Sequence, residues 1–126
     1  MKTTLPRLFL AAAAAILLLG GIMHTAAFPK AVAAVSGSNL PAFFGNALQA
    51  LWLIDSTMLF ALAIAFALIA ARPVIASAWL QLLLSLIPGG TAALLYYFVG
   101  GAFIPAHMLA AATILVIAAV ILKMEK

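Results

Sequence analysis

Hydrophobic residues run along this chain in four long blocks, parted by short stretches that carry turn-forming residues, and nearly all the charges lie outside the blocks. The blocks cover about residues 8–28, 45–71, 74–99 and 104–122. Each is long enough to cross the hydrocarbon of a bilayer, which takes about 20 helical residues. Backbone N–H and C=O groups in lipid must be satisfied within their own segment, so the pattern predicts helices. Phe28-Pro29-Lys30 marks the end of the first helix. Ser36-Gly37-Ser38-Asn39 and Leu40-Pro41 then make residues 29–44 an outer loop. Arg72-Pro73 predicts a very tight turn, and Gly100-Gly101 before Pro105 separates the last two helices. The expected fold is all-α, a single four-helix transmembrane bundle with antiparallel neighbours. No internal symmetry points to an inverted-repeat transporter.

Composition supports the same reading. Of 126 residues, 69% are hydrophobic and 6% charged, against roughly 25% charged in an ordinary soluble domain. Too few polar side chains exist to cover a water-facing surface, so the lipid bilayer is the expected partner. The net charge of +4 comes from scattered basic residues without a basic stripe, so nucleic acid is not an expected partner. The absence of cysteine excludes disulfides and thiolate ligands.

The basic residues act instead as topology markers. With the N-terminus inside, Lys2, Arg7, Arg72, Lys123 and Lys126 face the cytoplasm and only Lys30 faces out, a strong positive-inside bias. Both termini are therefore expected in the cytoplasm. Phe43, Phe44, Tyr96, Tyr97 and Phe103 fall toward the outer boundary and Trp79 toward the inner one. The start also resembles a secretory signal peptide, with Lys2 and Arg7, an apolar run and then Thr25-Ala26-Ala27. The run exceeds a usual signal core, which favours a retained spanning helix.

Ionisable residues inside spanning helices are costly and usually have a task. Away from the ends and loops there are three: His24, Asp55 and His107, each on a different helix. His24 lies 17 residues beyond Arg7, Asp55 17 before Arg72, and His107 16 before Lys123. All three are thus expected about 24–26 Å above the inner boundary, in the outer third of a core about 30 Å thick. Pro88-Gly89-Gly90 lies at the same level and is expected to break its helix and free carbonyls. Ser77, Gln81, Ser85, Pro88 and Tyr96 form one stripe on the third helix. Ala13, Leu17, Gly20 and His24 share a face of the first, where small residues would let another helix approach. Trp52 precedes Asp55 by three positions, and Ser56 and Thr57 offer hydroxyls to the carboxylate.

These residues predict an outward polar pocket for a small molecule, with Asp55, His24, His107, Trp52, Tyr96 and Gln81 as candidate binding residues. His24, Asp55 and His107 are also an acceptable ligand set for a transition metal such as zinc, copper or iron. An Asp–His pair can equally relay protons, and two histidines at one depth could hold haem. The bland readings are interfacial histidines for His24 and His107, interhelical hydrogen bonding for the Ser/Gln stripe, and tyrosines that anchor the interface. Asp55 resists such a reading, since a mid-helix Asp costs roughly 2.5–3.5 kcal/mol to insert.

Arg7, the stretch GGIMHTAAFPKAV, the closing Leu40-Pro41 and LWLIDSTMLFALAIAFALIAARP together resemble the DoxX-like small four-helix bacterial membrane proteins. The resemblance covers about the first 73 residues. That family usually carries Glu where Asp55 stands. The resemblance implies a bundle in the bacterial inner membrane, sometimes associated with membrane redox systems. Three functions are then expected in order: a ligand-binding or transport-related protein anchored by Asp55, a metal-binding redox protein or oxidoreductase subunit, and a structural or assembly protein. A homo-oligomer is expected if the bundle transports anything.

Overall fold

The computed structural model describes residues 4–124, so Lys2 and Lys126 lie outside the described residues. Five α-helices run in order: α1 (Thr4–Ala26), α2 (Phe28–Ser36), α3 (Ala42–Ala71), α4 (Ala78–Phe98) and α5 (Ile104–Met124). Among the described residues there is no strand. Four helical spans are long and apolar enough to cross a membrane, with α1 and α2 counting as one. The protein is a four-helix, membrane-spanning bundle.

Three boundaries differ from the expected ones, each for a local reason. Pro29 interrupts the first span without ending it. Proline lacks only the N–H and is well tolerated in a first helical turn, so the chain bends at Ala27 and restarts as α2. Most of the expected outer loop is therefore helical, in α2 and the first residues of α3. The α2 segment rests on the start of α3, where Gly45 leaves room for Val35: a Cβ on that glycine would lie 3.0 Å from Val35 Cγ1. The α4 helix starts at Ala78, after a single 3₁₀ turn over Pro73–Ile75. Ser77 sets that start by accepting the Leu80 N–H on its hydroxyl oxygen at 3.2 Å, a normal N-cap. Pro88 does not break α4, which continues unbroken to Phe98. Its ring is buried, and the missing hydrogen bond to Leu84 is confined to one turn.

The helices do not pack as four antiparallel neighbours in sequence order. Helix α1 lies against both α3 and α5, and α4 lies against α5. Helices α3 and α4 are consecutive spans yet do not pack along their lengths. The order around the bundle is thus α3, α1, α5, α4, with an unclosed side between the first and the last. Close approaches are made where side chains are small. A Cβ on Gly21 would lie 3.0 Å from the Phe60 ring, and one on Gly89 would lie 3.1 Å from Thr113 Cγ2.

An open groove of about 620 Å³ runs between α1 and α3 in the terminal half, but the centre of the bundle is filled there. Toward the end that holds both chain termini, Leu10, Ala13, Phe66, Ile69, Val116 and Val120 are buried. Gln81, Ser85 and Pro88 are buried there too, so most of the polar stripe on α4 faces α5. Large apolar side chains cover the outside, as lipid contact requires. Trp79, at 72% exposed, and Tyr97, at 82%, stand at opposite ends of α4, where aromatic belts form.

Two cations close the terminal end. Arg7 on α1 donates from Nε to the Ala70 carbonyl (2.8 Å) and from a terminal nitrogen to that of Ala71 (3.0 Å). These are carbonyls of the last α3 turn, which no helical N–H can reach. Lys123 in the last turn of α5 donates to the carbonyls of Pro73 (3.2 Å) and Ala76 (3.3 Å), and Gln81 adds a second donor to Ala76 (3.2 Å). Hydrogen bonds from a charged donor contribute about 1.5–3 kcal/mol each when buried, less at a partly wet site. Arg7→Met should therefore destabilise the bundle by about 1–2 kcal/mol, measured by reversible unfolding in mixed micelles.

Candidate functional site

The end away from the termini is hollow. A cavity of about 640 Å³ lies there, walled by all four spans. Leu17, Leu59 and Leu109 line it and also belong to the buried core, so they form its floor. Met23, Leu48, Leu51, Leu95, Val99, Phe103 and Met108 make its apolar walls. Its polar groups are few: His24 from α1, Trp52 and Asp55 from α3, and Thr91 from α4.

The periodicity of α3 brings its polar residues to one place. Trp52, Asp55 and Ser56 are three and four apart, and such positions share a helix face. That face meets His24. The Trp52 indole N–H donates to the His24 carbonyl at 2.8 Å. The imidazole lies flat on the indole, with ring centroids 4.2 Å apart and planes 14° from parallel. Ser56 Oγ lies 2.9 Å from His24 Nδ1 and 3.1 Å from the Trp52 carbonyl. His24 Nε2 then faces Asp55 Oδ2 at 3.5 Å, with the two side chains 25% and 36% exposed. One ring is thus held by a stack, a hydroxyl and a carboxylate, all from a single helix.

The Ser56 hydroxyl has one proton and two lone pairs. It accepts Nδ1–H while donating to the Trp52 carbonyl, or it turns and donates to a bare Nδ1. His24 therefore keeps its partner in the neutral and the protonated form. When protonated, it makes an ion pair with Asp55.

The six sequence candidates separate in the structure. Asp55, His24 and Trp52 come together in the cavity. His107 does not join them. Its neighbour Met108 lines the cavity, but its own ring is exposed, with Nδ1 3.1 Å from the Phe103 carbonyl. It meets the Tyr96 ring edge to face at 5.3 Å. This level of α5 reaches the cavity through Met108, but the His107 ring turns away from it. Tyr96 is engaged with His107 and lies outside the cavity lining. Gln81 is buried at the opposite end, tied to Ala76, with Oε1 unpartnered. The expected metal triad of His24, Asp55 and His107 is not assembled: among the described residues no three His, Asp or Glu side chains gather as metal ligands.

The hydroxyls beside Asp55 also serve other partners than expected. Ser56 holds His24, and Thr57 donates to the Leu53 carbonyl in its own helix at 2.9 Å. Gly20 does not mediate helix approach, since a Cβ there would meet nothing within 4 Å. It lines the cavity and adds to its volume, while its neighbour Gly21 makes the close contact. Thr91 was not singled out by sequence. Its only signal was its place one turn beyond Pro88, on a helix already known to be polar on one side.

No family model, curated protein or solved structure matches the chain. The site's chemistry is therefore argued from its own atoms. An indole ring shifts the proton resonances of a ring stacked on it. Trp52→Leu should move the His24 ring signals in an NMR spectrum downfield and leave those of His107 in place, whereas Tyr96→Leu should do the reverse.

Proposed function

We propose that this is a ligand-binding membrane protein of a transport-related kind, whose hollow end receives a small amphiphilic molecule anchored by Asp55. The single observation that carries this reading is the state of that carboxylate. It lies in a membrane-spanning helix, beside a cavity large enough for a small molecule, and accepts no hydrogen bond among the described residues. A carboxylate placed in a span at such cost is expected to have a partner. Ligand cavities with apolar walls and a few convergent polar groups have this composition. The DoxX-like resemblance of the first 73 residues agrees with a membrane bundle and carries no ligand with it.

A panel of cationic, neutral and anionic amphiphiles tests the reading through thermal stabilisation of the purified protein. At least one class should stabilise the native chain, by about 2.7 kcal/mol at a ligand concentration a hundredfold above Kd. Asp55→Asn should lose that stabilisation and His107→Ala should keep it. Indifference of the native protein to all three classes would sink the reading.

The bundle sits, on this proposal, in a bacterial inner membrane with both termini in the cytoplasm and the cavity toward the outer face. The support is the placement of Arg7, Arg72 and Lys123 at the terminal end and Lys30 at the other. With no native cysteine, single thiols report the orientation cleanly. A membrane-impermeant maleimide added to intact cells should label Ser38→Cys, and should reach Val74→Cys only after permeabilisation.

A further inference from the structure

The class of ligand can be read from which polar groups of the cavity are already engaged. This step rests on the ligand-binding reading above. The Trp52 N–H is committed to the His24 carbonyl at 2.8 Å and the Thr91 hydroxyl to the Ile87 carbonyl at 2.9 Å. His24 Nδ1 is held by Ser56 at 2.9 Å. Asp55 is the exception. A carboxylate has acceptor sites for about four hydrogen bonds, and this one has a single contact, His24 Nε2 at 3.5 Å. The cavity therefore has acceptor capacity and negative charge to offer, and almost no donor. An anion would meet a carboxylate, and the one base in the lining, His24, already faces that carboxylate, while Arg7 and Lys123 are engaged at the opposite end.

The way in narrows the class further. Helices α3 and α4 do not pack along their lengths, and the cavity takes lining residues from both, among them Asp55 and Leu95. It lies where the bundle is left open on its side. In a spanning bundle that side faces acyl chains. A ligand arriving by this route must dissolve in lipid, so most of its surface is apolar.

We propose that the cleft between α3 and α4 binds lipophilic organic cations, with the cationic centre against the Asp55 carboxylate and the apolar body on the leucine floor. His24 is a positioning residue: stacked on Trp52 and tethered by Ser56, it fixes the carboxylate from one side and leaves the other open to the cleft.

The test uses the full chain in nanodiscs of zwitterionic lipid, with empty discs as the blank. The probes are tetraphenylphosphonium, its neutral counterpart triphenylphosphine oxide, and the anion tetraphenylborate. Saturable binding of the cation is expected, at least tenfold tighter than that of either counterpart. Asp55→Asn should weaken it at least tenfold. Gly20→Leu should weaken it as well by filling the cavity, and it leaves the carboxylate intact, so it answers the question even if the Asp55 variant fails to fold. Equal or tighter binding of the neutral or anionic probe overturns the cation assignment while leaving a ligand site in place. Cation binding that survives both substitutions overturns it too, because the site would then lie elsewhere. Absence of saturable binding by all three probes overturns this inference; the ligand-binding reading itself falls only if the wider amphiphile panel also fails.

Discussion

The bundle depends on how the carbonyls between α3 and α4 are satisfied. A helix end leaves four C=O groups without helical donors, and in or near lipid there is little water to take their place. Here the donors come from both ends of the chain: Arg7, four residues into the described part, and Lys123, near its close. By reaching the same connection from opposite sides, these cations draw α1 and α5 between α3 and α4. These two consecutive spans are thereby kept apart. The cavity at the opposite end takes its lining from both of these separated helices.

Much of this was legible in the sequence, for reasons that differ by feature. The four spans follow from uninterrupted hydrophobicity, a signal that no tertiary contact can override in lipid. The depth of His24 and Asp55 followed from counting, because helical rise is constant. Azimuth was not legible to the same degree. His107 lies on the expected level but turns toward Tyr96, since one residue's shift along a helix swings a side chain by about 100°. Gly20 and Gly21 show the same limit, as only packing tells which of two adjacent glycines faces a neighbour. Pro29 and Pro88 were read as helix ends or breaks, yet one starts a new helix and the other is carried through a single turn without its hydrogen bond. The caps made by Arg7 and Lys123 had been read only as topology markers, and the same charges serve both purposes.

The site itself is economical in residues. A single stretch of α3, from Trp52 to Ser56, supplies a stacking surface, a carboxylate and a hydroxyl, and all three meet one imidazole from α1. Spacings of three and four place them together without any loop. The arrangement therefore depends on the α1–α3 contact alone, which Gly21 and Phe60 keep close. The apolar walls come from all four spans and give the cavity its volume rather than its charge.

The dependence of the α3–α4 connection on Lys123 also has a temporal side. During synthesis the first three spans are complete long before the residue that ties them exists. Until α5 has been inserted almost to its end, the Pro73 and Ala76 carbonyls lack that donor, and α4 lacks the helix it packs on. Assembly of the four-span bundle is thus deferred until α5 has been made. A ribosome stalled before Lys123 would leave a chain already in the membrane but not yet a container.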